Sequence, residues 1–159
     1  MPFVYTDSLA TAGNLTTNGT ANTETETCFL KPGTTASTYL AAAQMGGKGG
    51  ALVQLSAVVI RFLKWVTAST AGTTLASVGK IGGEPTSTIT SGSRPTSGAT
   101  RTNVGPIISS GASSPNQWQA INQDHMIGIR ASNAGSISAM DSGAAVSMPF
   151  EFSLEHQEW

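Results

Sequence analysis

The chain has 159 residues, of which 21 are Thr, 19 Ser, 20 Ala and 18 Gly, so four small residue types make up about half of it. Only 17 residues are charged and the net charge is near -1. The low charge excludes a nucleic-acid binder, which needs clustered Lys and Arg. The composition also excludes a coiled coil, which needs Glu, Lys and Leu in heptads. The cysteine count excludes a disulfide scaffold, because Cys28 is the only cysteine.

The N-terminal stretch predicts an extended arm over residues 1–27. Leu9 and Leu15 are the only large apolar residues between positions 7 and 27, too few to offset the entropy of ordering the segment. We expect the arm to be flexible or to become ordered against a partner, with Phe3 and Tyr5 anchoring its tip. No cationic stretch or apolar segment typical of a signal peptide is present, so we expect synthesis in a cytoplasm.

Residues 28–159 predict a single β-rich domain. Residues 27–31 form a strand candidate before Pro32-Gly33. The next stretch, ASTYLAAAQM at 36–45, has the composition of a short helix and is followed by glycines.

The segment from Leu52 to Thr67 is the longest apolar run, and its periodicity fits both a strand and a helix. Its β-branched and aromatic residues favour a strand. Such a strand would be apolar on both faces and would need two covers. We expect another subunit to supply the second, with Leu63 or Trp65 at the contact. The run is too short and too charged to cross a membrane.

The remaining residues predict short strands separated by turns. Residues 84–103 read as a long loop rich in Ser, Thr, Gly and Pro. Strand candidates follow at 104–109, 117–121, 125–130 and 136–140, and Met148 to Glu155 alternates apolar and polar residues. The predicted fold class is therefore all-β: one antiparallel sandwich of jelly-roll type with an N-terminal arm.

Short motifs with catalytic associations are present but incomplete. Asp141-Ser142-Gly143 matches the aspartic-protease core, yet too little chain follows it, and a hairpin turn is the better interpretation. Gly46-Gly47-Lys48-Gly49 lacks the hydroxyl residue of a phosphate loop. His125 and His156 show no metal-ligand spacing and are read as surface or strand-end residues. We expect no enzyme activity, no cofactor and no metal.

Taken together, the arm at 7–27, the two-sided strand at 52–66, the loops of 68–103 and the closing strand at 148–155 resemble the capsid decoration (cement) proteins of tailed bacteriophages. The resemblance covers the whole chain in general character and includes no diagnostic motif, so no residue role is carried over. It implies a homotrimer on the capsid surface of a virion that binds the major capsid protein and stabilises the shell.

The interface residues expected from the sequence itself are Phe3, Tyr5, Leu63, Trp65 and Trp159, with neither nucleic acid nor membrane as a partner. The alternative function is a receptor- or carbohydrate-binding domain of a tail fibre or a lectin-like module, with Trp118 or Tyr39 as a sugar platform. A self-assembling surface or pilus-type subunit is a third hypothesis.

Overall fold

The computed structural model describes residues 2–8, 15–17, 20, 23–47, 58–70, 72–94, 100–110, 116–142 and 149–159. Thirteen strands lie in these ranges: β1 (Phe3–Ser8), β2 (Leu15–Thr16), β3 (Thr25–Lys31), β4 (Thr38–Gly47), β5 (Val58–Trp65), β6 (Thr73–Thr74), β7 (Ser77–Gly79), β8 (Thr90–Ser93), β9 (Arg101–Ser110), β10 (Asn116–Gln119), β11 (Ile127–Ile129), β12 (Ser136–Ser142) and β13 (Pro149–Glu158). The described residues include a single short 3-10 helix, Gln123–His125.

The strands form two antiparallel sheets. The seven-stranded sheet has the order β10-β4-β13-β1-β7, with β11 beside β4 and β2 beside β13. The six-stranded sheet has the order β6-β8-β3-β12-β5-β9. The predicted all-β sandwich is therefore confirmed.

The core lies between the two sheets because each strand turns one set of alternate side chains inward. Phe150, Phe152 and Leu154 of β13 are buried in the same cluster as Ile60 and Phe62 of β5. The rings of Phe62 and Phe152 stack with centroids 6.3 Å apart. This apolar layer joins the two sheets.

The predicted helix at 36–45 is wrong, because residues 38–47 form β4. Leu40, Ala43 and Met45 point into the core at strand spacing, with a bulge beside Ala42. The helical propensity of the alanines is weaker than the pairing of this strand with β13 on one side and with β10 and β11 on the other.

The predicted arm is corrected at the first strand. Residues 3–8 form β1, which lies inside the seven-stranded sheet between β13 and β7. Thr25, Glu26 and Thr27 open β3. Residues 9–14, 18–19 and 21–22 of the arm lie outside the described residues.

The predicted strand in 52–66 is confirmed over Val58–Trp65, and residues 52–57 lie outside the described part of the chain. The loop expected at 84–103 contains β8 and the start of β9. Strand β8 pairs with β3 from Thr90 to Ser93, and β9 pairs with β5.

Candidate functional site

A group of ionisable side chains occupies the interior beside the apolar layer. Strand β13 places His156 and Glu158 on its inward face, in line with Phe152 and Leu154. The neighbouring strand β1 places Tyr5 opposite His156 and Asp7 opposite Leu154. All four polar side chains are buried. We call Tyr5, Asp7, His156 and Glu158 the ionic cluster.

His156 is held between two carboxylates. Its Nδ1 contacts Asp7 Oδ2, and its Nε2 lies 3.3 Å from Glu158 Oε1. Burial alone lowers the pKa of His156, but hydrogen bonds to Asp7 and Glu158 and their charges outweigh this and raise it to about 9. The imidazole is therefore protonated at neutral pH and donates to both carboxylates.

Glu158 is fixed by a second set of donors. Burial alone would raise its pKa, whereas hydrogen bonds from His156, Ser87 and Thr88 lower it to about 2. The backbone N–H of Thr88 lies 3.1 and 3.0 Å from the two carboxylate oxygens. Ser77 Oγ in turn donates to Asp7. The cluster therefore fastens β7 and the segment at 84–89 onto the sheet.

Tyr5 completes the enclosure. Its ring stacks on the His156 imidazole with centroids 5.1 Å apart, and its hydroxyl donates to the Pro85 carbonyl at 2.9 Å. A nucleophile–base pair must be reached by a substrate, but the His156 side chain has no exposed surface. The geometry supports a structural role for this cluster rather than catalysis.

Sequence reasoning missed the ionic cluster. His156 was expected at the surface or a strand end, yet it is buried. The signal was present in the alternation of Phe150, Phe152 and Leu154, because continuing the same spacing brings His156 and Glu158 inward. Asp7 could not be found this way because the arm was not expected to form a strand.

Leu63 and Trp65 lie on the outer face of the six-stranded sheet and are nevertheless buried, at 0% and 8% exposure. They form a small second cluster with Met140. The connection from β5 to β6 must run from one side of this sheet to the other. On the way, the Ser69 hydroxyl donates to Glu26 of β3 at 2.6 Å, and its N–H to Ser136 Oγ of β12 at 3.4 Å.

The outer face of β5 is thus buried within the chain itself at Leu63 and Trp65. The expectation that another subunit covers Leu63 or Trp65 is corrected, because both side chains are already buried within the single chain. Tyr5, a third residue expected at an interface, belongs to the ionic cluster.

The other two expected interface residues are on the surface. Phe3 is exposed, and Trp159 is 50% exposed. The structure brings them to the same end of the seven-stranded sheet, where Phe3 pairs with Glu158, the residue before Trp159. Leu63 and Trp65 lie on the other sheet, so the five residues do not form one surface.

Within the described residues, the remaining candidate motifs do not assemble into a reaction centre. His125 is exposed on the 3-10 helix, with Nδ1 2.6 Å from Asn122 Oδ1, and does not approach His156. Burial raises the pKa of the Cys28 thiol well above its usual range, helped by the charges of Asp7 and Glu26. Asp141 accepts from Thr27 Oγ1 at 2.8 Å and pairs with Arg94. Gly143 of the Asp-Ser-Gly motif and residues 48–50 lie outside the described ranges.

Within the described ranges, no cluster of three His, Cys, Asp or Glu side chains is arranged to hold a metal ion. No helix in the same ranges has the length and hydropathy needed to span a bilayer.

Large apolar side chains are exposed at two opposite edges of the sandwich. Val78 lies on β7, the last strand of the seven-stranded sheet, and Ile81 follows that strand. Ile107 lies on β9, the edge strand of the six-stranded sheet, and Ile121 follows β10, the edge strand of the seven-stranded sheet. Strands β9 and β10 are in contact, so these two residues lie on the same side of the sandwich. We call the pair Val78 and Ile81 the β7 edge, and the pair Ile107 and Ile121 the β9 edge.

No family model, no curated protein and no solved structure matches the chain.

Proposed function

We propose that the chain is a non-enzymatic structural protein of a virion, a capsid decoration protein. In this role it is made in the host cytoplasm, binds the assembled shell as a homotrimer through the major capsid protein, and stabilises it. The observation that carries the proposal is the pair of exposed apolar edges on opposite sides of the sandwich.

Two unlike edges favour a ring. When one edge of a protomer docks on the other edge of the next, the contact is heterologous, and it closes into a cyclic oligomer if the rotation permits. A contact between identical patches would need only one edge. Edge strands also carry unpaired backbone groups, and native proteins cover or blunt such edges. The β7 edge against the β9 edge would cover both in one contact.

A closed ring is suited to decorating a shell. A trimer presents each capsid contact three times, so individually weak contacts sum through effective concentration. A ligand that binds only the assembled state stabilises that state by mass action. The buried ionic cluster supports the same role, because it fastens the N-terminal strand and the 84–89 segment to a rigid body.

The oligomer is tested by light scattering over a hundredfold dilution. We expect a trimer for the wild type. The variant Val78→Ser/Ile81→Ser and the variant Ile107→Ser/Ile121→Ser should each fall to the monomer mass. Each retains one intact edge, so mixing the two variants should restore a dimer. Val66→Ser is the control, because Val66 is exposed at the end of β5 and not on an edge strand; it should remain trimeric.

Capsid binding is tested by co-sedimentation with expanded, undecorated capsids of the phage that encodes the chain. The wild type should saturate the shell and the two edge variants should bind weakly. A wild-type monomer at every concentration, or edge variants that keep the wild-type mass, would show that these edges are not an interface. A trimer that leaves undecorated capsids unbound would overturn the decoration role alone.

A further inference from the structure

An aromatic cleft opens on the outer face of the seven-stranded sheet. It has a volume of about 220 Å³, and Tyr39, Met126 and Trp159 supply its apolar lining. The Tyr39 and Trp159 rings meet edge to face, with centroids 6.1 Å apart and planes 65° apart. Two aromatic surfaces at an angle form a corner that remains open to solvent.

The aromatic corner is held rigidly. Trp159 exchanges two backbone hydrogen bonds with Ser37, at 3.0 and 3.1 Å, and its indole N–H donates to Gln157 Oε1 at 3.3 Å. The Tyr39 ring lies over Gly128, its partner on β11, where an added Cβ would come within 2.5 Å of two ring carbons. Rigid, exposed aromatic surfaces bind ligands at low entropic cost.

Polar groups stand beside the corner. Gln123 and Asp124 line the same cleft from the 3-10 helix. That helix is fixed at its start by Asn122, whose side chain accepts from the Asp124 N–H at 3.0 Å. The cleft therefore combines two rings with one carboxylate and one amide.

A second, polar groove lies further along the same face, lined by Ala42 and Gln44 of β4 and by Ser153 and Glu155 of β13. Strand β4 directs Tyr39, Ala42 and Gln44 outward, paired with Gln157, Glu155 and Ser153 of β13. The groove has a volume of about 400 Å³, and its other lining side chains include Lys80, Gln117 and Gln119. Lys80 pairs with Glu155 within it. Tyr39 and Gln44 are five residues apart on one strand, a span of roughly 16 Å.

We infer that this face binds a neutral oligosaccharide, with one pyranose ring in the Tyr39–Trp159 corner beside Asp124 and further rings along Gln44 and Gln117. Sugar rings combine apolar C–H faces, which pack on aromatic rings, with hydroxyls that both donate and accept. Amide side chains also both donate and accept. A few convergent polar groups beside aromatic surfaces are typical of small-ligand sites.

The charges disfavour other ligand classes. Among the described lining residues the one cation, Lys80, is paired with Glu155, so this part of the groove offers little attraction for phosphate or nucleic acid. Ala42 at its centre provides too little apolar surface for a lipid chain. The inference does not rest on the proposed capsid role, because the Tyr39–Trp159 corner contains none of the four edge residues.

The test is binding to an array of short neutral oligosaccharides of the cello, malto, chito and galacto series, followed by calorimetric titration of the best binder. We expect at least one series to bind. Tyr39→Ala should weaken it roughly tenfold, the change expected on losing an aromatic contact, and Asp124→Ala should also weaken it. Gly128→Ala, which displaces the Tyr39 ring, should also weaken binding, although it removes no side chain that contacts the sugar.

Phe3→Ala is the matched control, because Phe3 is an exposed aromatic at the same end of the sheet but on the inward-facing side of β1. It should bind as the wild type does, and every variant should keep the wild-type melting temperature. Binding to no array member, or equal binding by wild type and Tyr39→Ala, would overturn the inference. A change of solution mass in Tyr39→Ala without sugar binding would assign the corner to a second copy of the chain instead.

Discussion

Strand β13 passes through two chemically different interiors. Its first half buries Phe150, Phe152 and Leu154 against the opposite sheet, and its second half buries His156 and Glu158. The apolar half derives its stability from removal of carbon surface from water, which is nondirectional and independent of pH. The ionic half depends on charges whose burial is tolerated only while each has its partners. Neighbouring positions on one strand should therefore respond differently to mutation and to pH.

The largest effect is expected from His156→Gln. The change removes the only cation in the ionic cluster and leaves Asp7 and Glu158 buried without it, so we expect a loss of about 3–5 kcal/mol in unfolding free energy at pH 7. Urea denaturation measures it. The loss should shrink in acid, because the Glu158 carboxyl no longer needs a cation once it is protonated.

Phe152→Leu is the comparison for that variant. It reduces volume in the apolar half without altering charge, and we expect about 1 kcal/mol of destabilisation at any pH between 3 and 9. If both variants lose stability in parallel across this range, the two halves of β13 do not differ in the way described here.

The wild type should show the next effect in its own pH profile. His156 has its pKa raised to about 9, so its contribution is complete below the unfolded value of 6.5 and is lost as pH rises through 9. Glu158 has its pKa lowered to about 2, so its contribution is complete above 4.5 and is lost as pH falls through 2. The cluster should stabilise the fold most between about pH 4.5 and 6.5.

Denaturation midpoints at a series of pH values test this profile, and NMR titration of the His156 ring reports the proton directly. His156→Gln should lack the decline near pH 9. A His156 that titrates near 6.5 in the folded protein would contradict the assignment of a protonated, doubly bonded ring.

The smallest effect is expected from Lys80→Gln. Lys80 follows β7 and pairs with Glu155, which lies on the outer face of β13. Both groups are partly exposed. Exposed pairs contribute little because water and salt screen them, so we expect a loss within ~1 kcal/mol that disappears at high salt. A loss as large as that of His156→Gln would show that this pair is not screened. Thermal unfolding with and without added NaCl measures it.

Local pattern was sufficient where one strand carried its own signal. The alternation from Met148 to Glu155 and the β-branched run up to Trp65 predicted β13 and β5, because period-two burial is a property of a single segment. The alanine-rich stretch at 36–45 failed for the complementary reason. Intrinsic preference favours a helix there, and pairing with three other strands decides otherwise.

The candidate surfaces divide in the same way. Phe3 and Trp159, two of the residues predicted to lie at an interface, are exposed in the structure. The sequence could not show that Tyr39 would lie beside Trp159, or that Asp7 would reach His156, 149 residues away. Such contacts depend on which strands become neighbours.

The sequence by itself determined that the chain is an all-β sandwich with low charge, because composition and alternation act within each segment. Only the tertiary structure decided that Leu63 and Trp65 are buried within the chain, where the first strand pairs, and which charges meet in the interior. The physical reason is that burial of a side chain depends on sheet order and on the path of the connections. Those are set by the free energy of the whole assembly of strands, and no single segment encodes them.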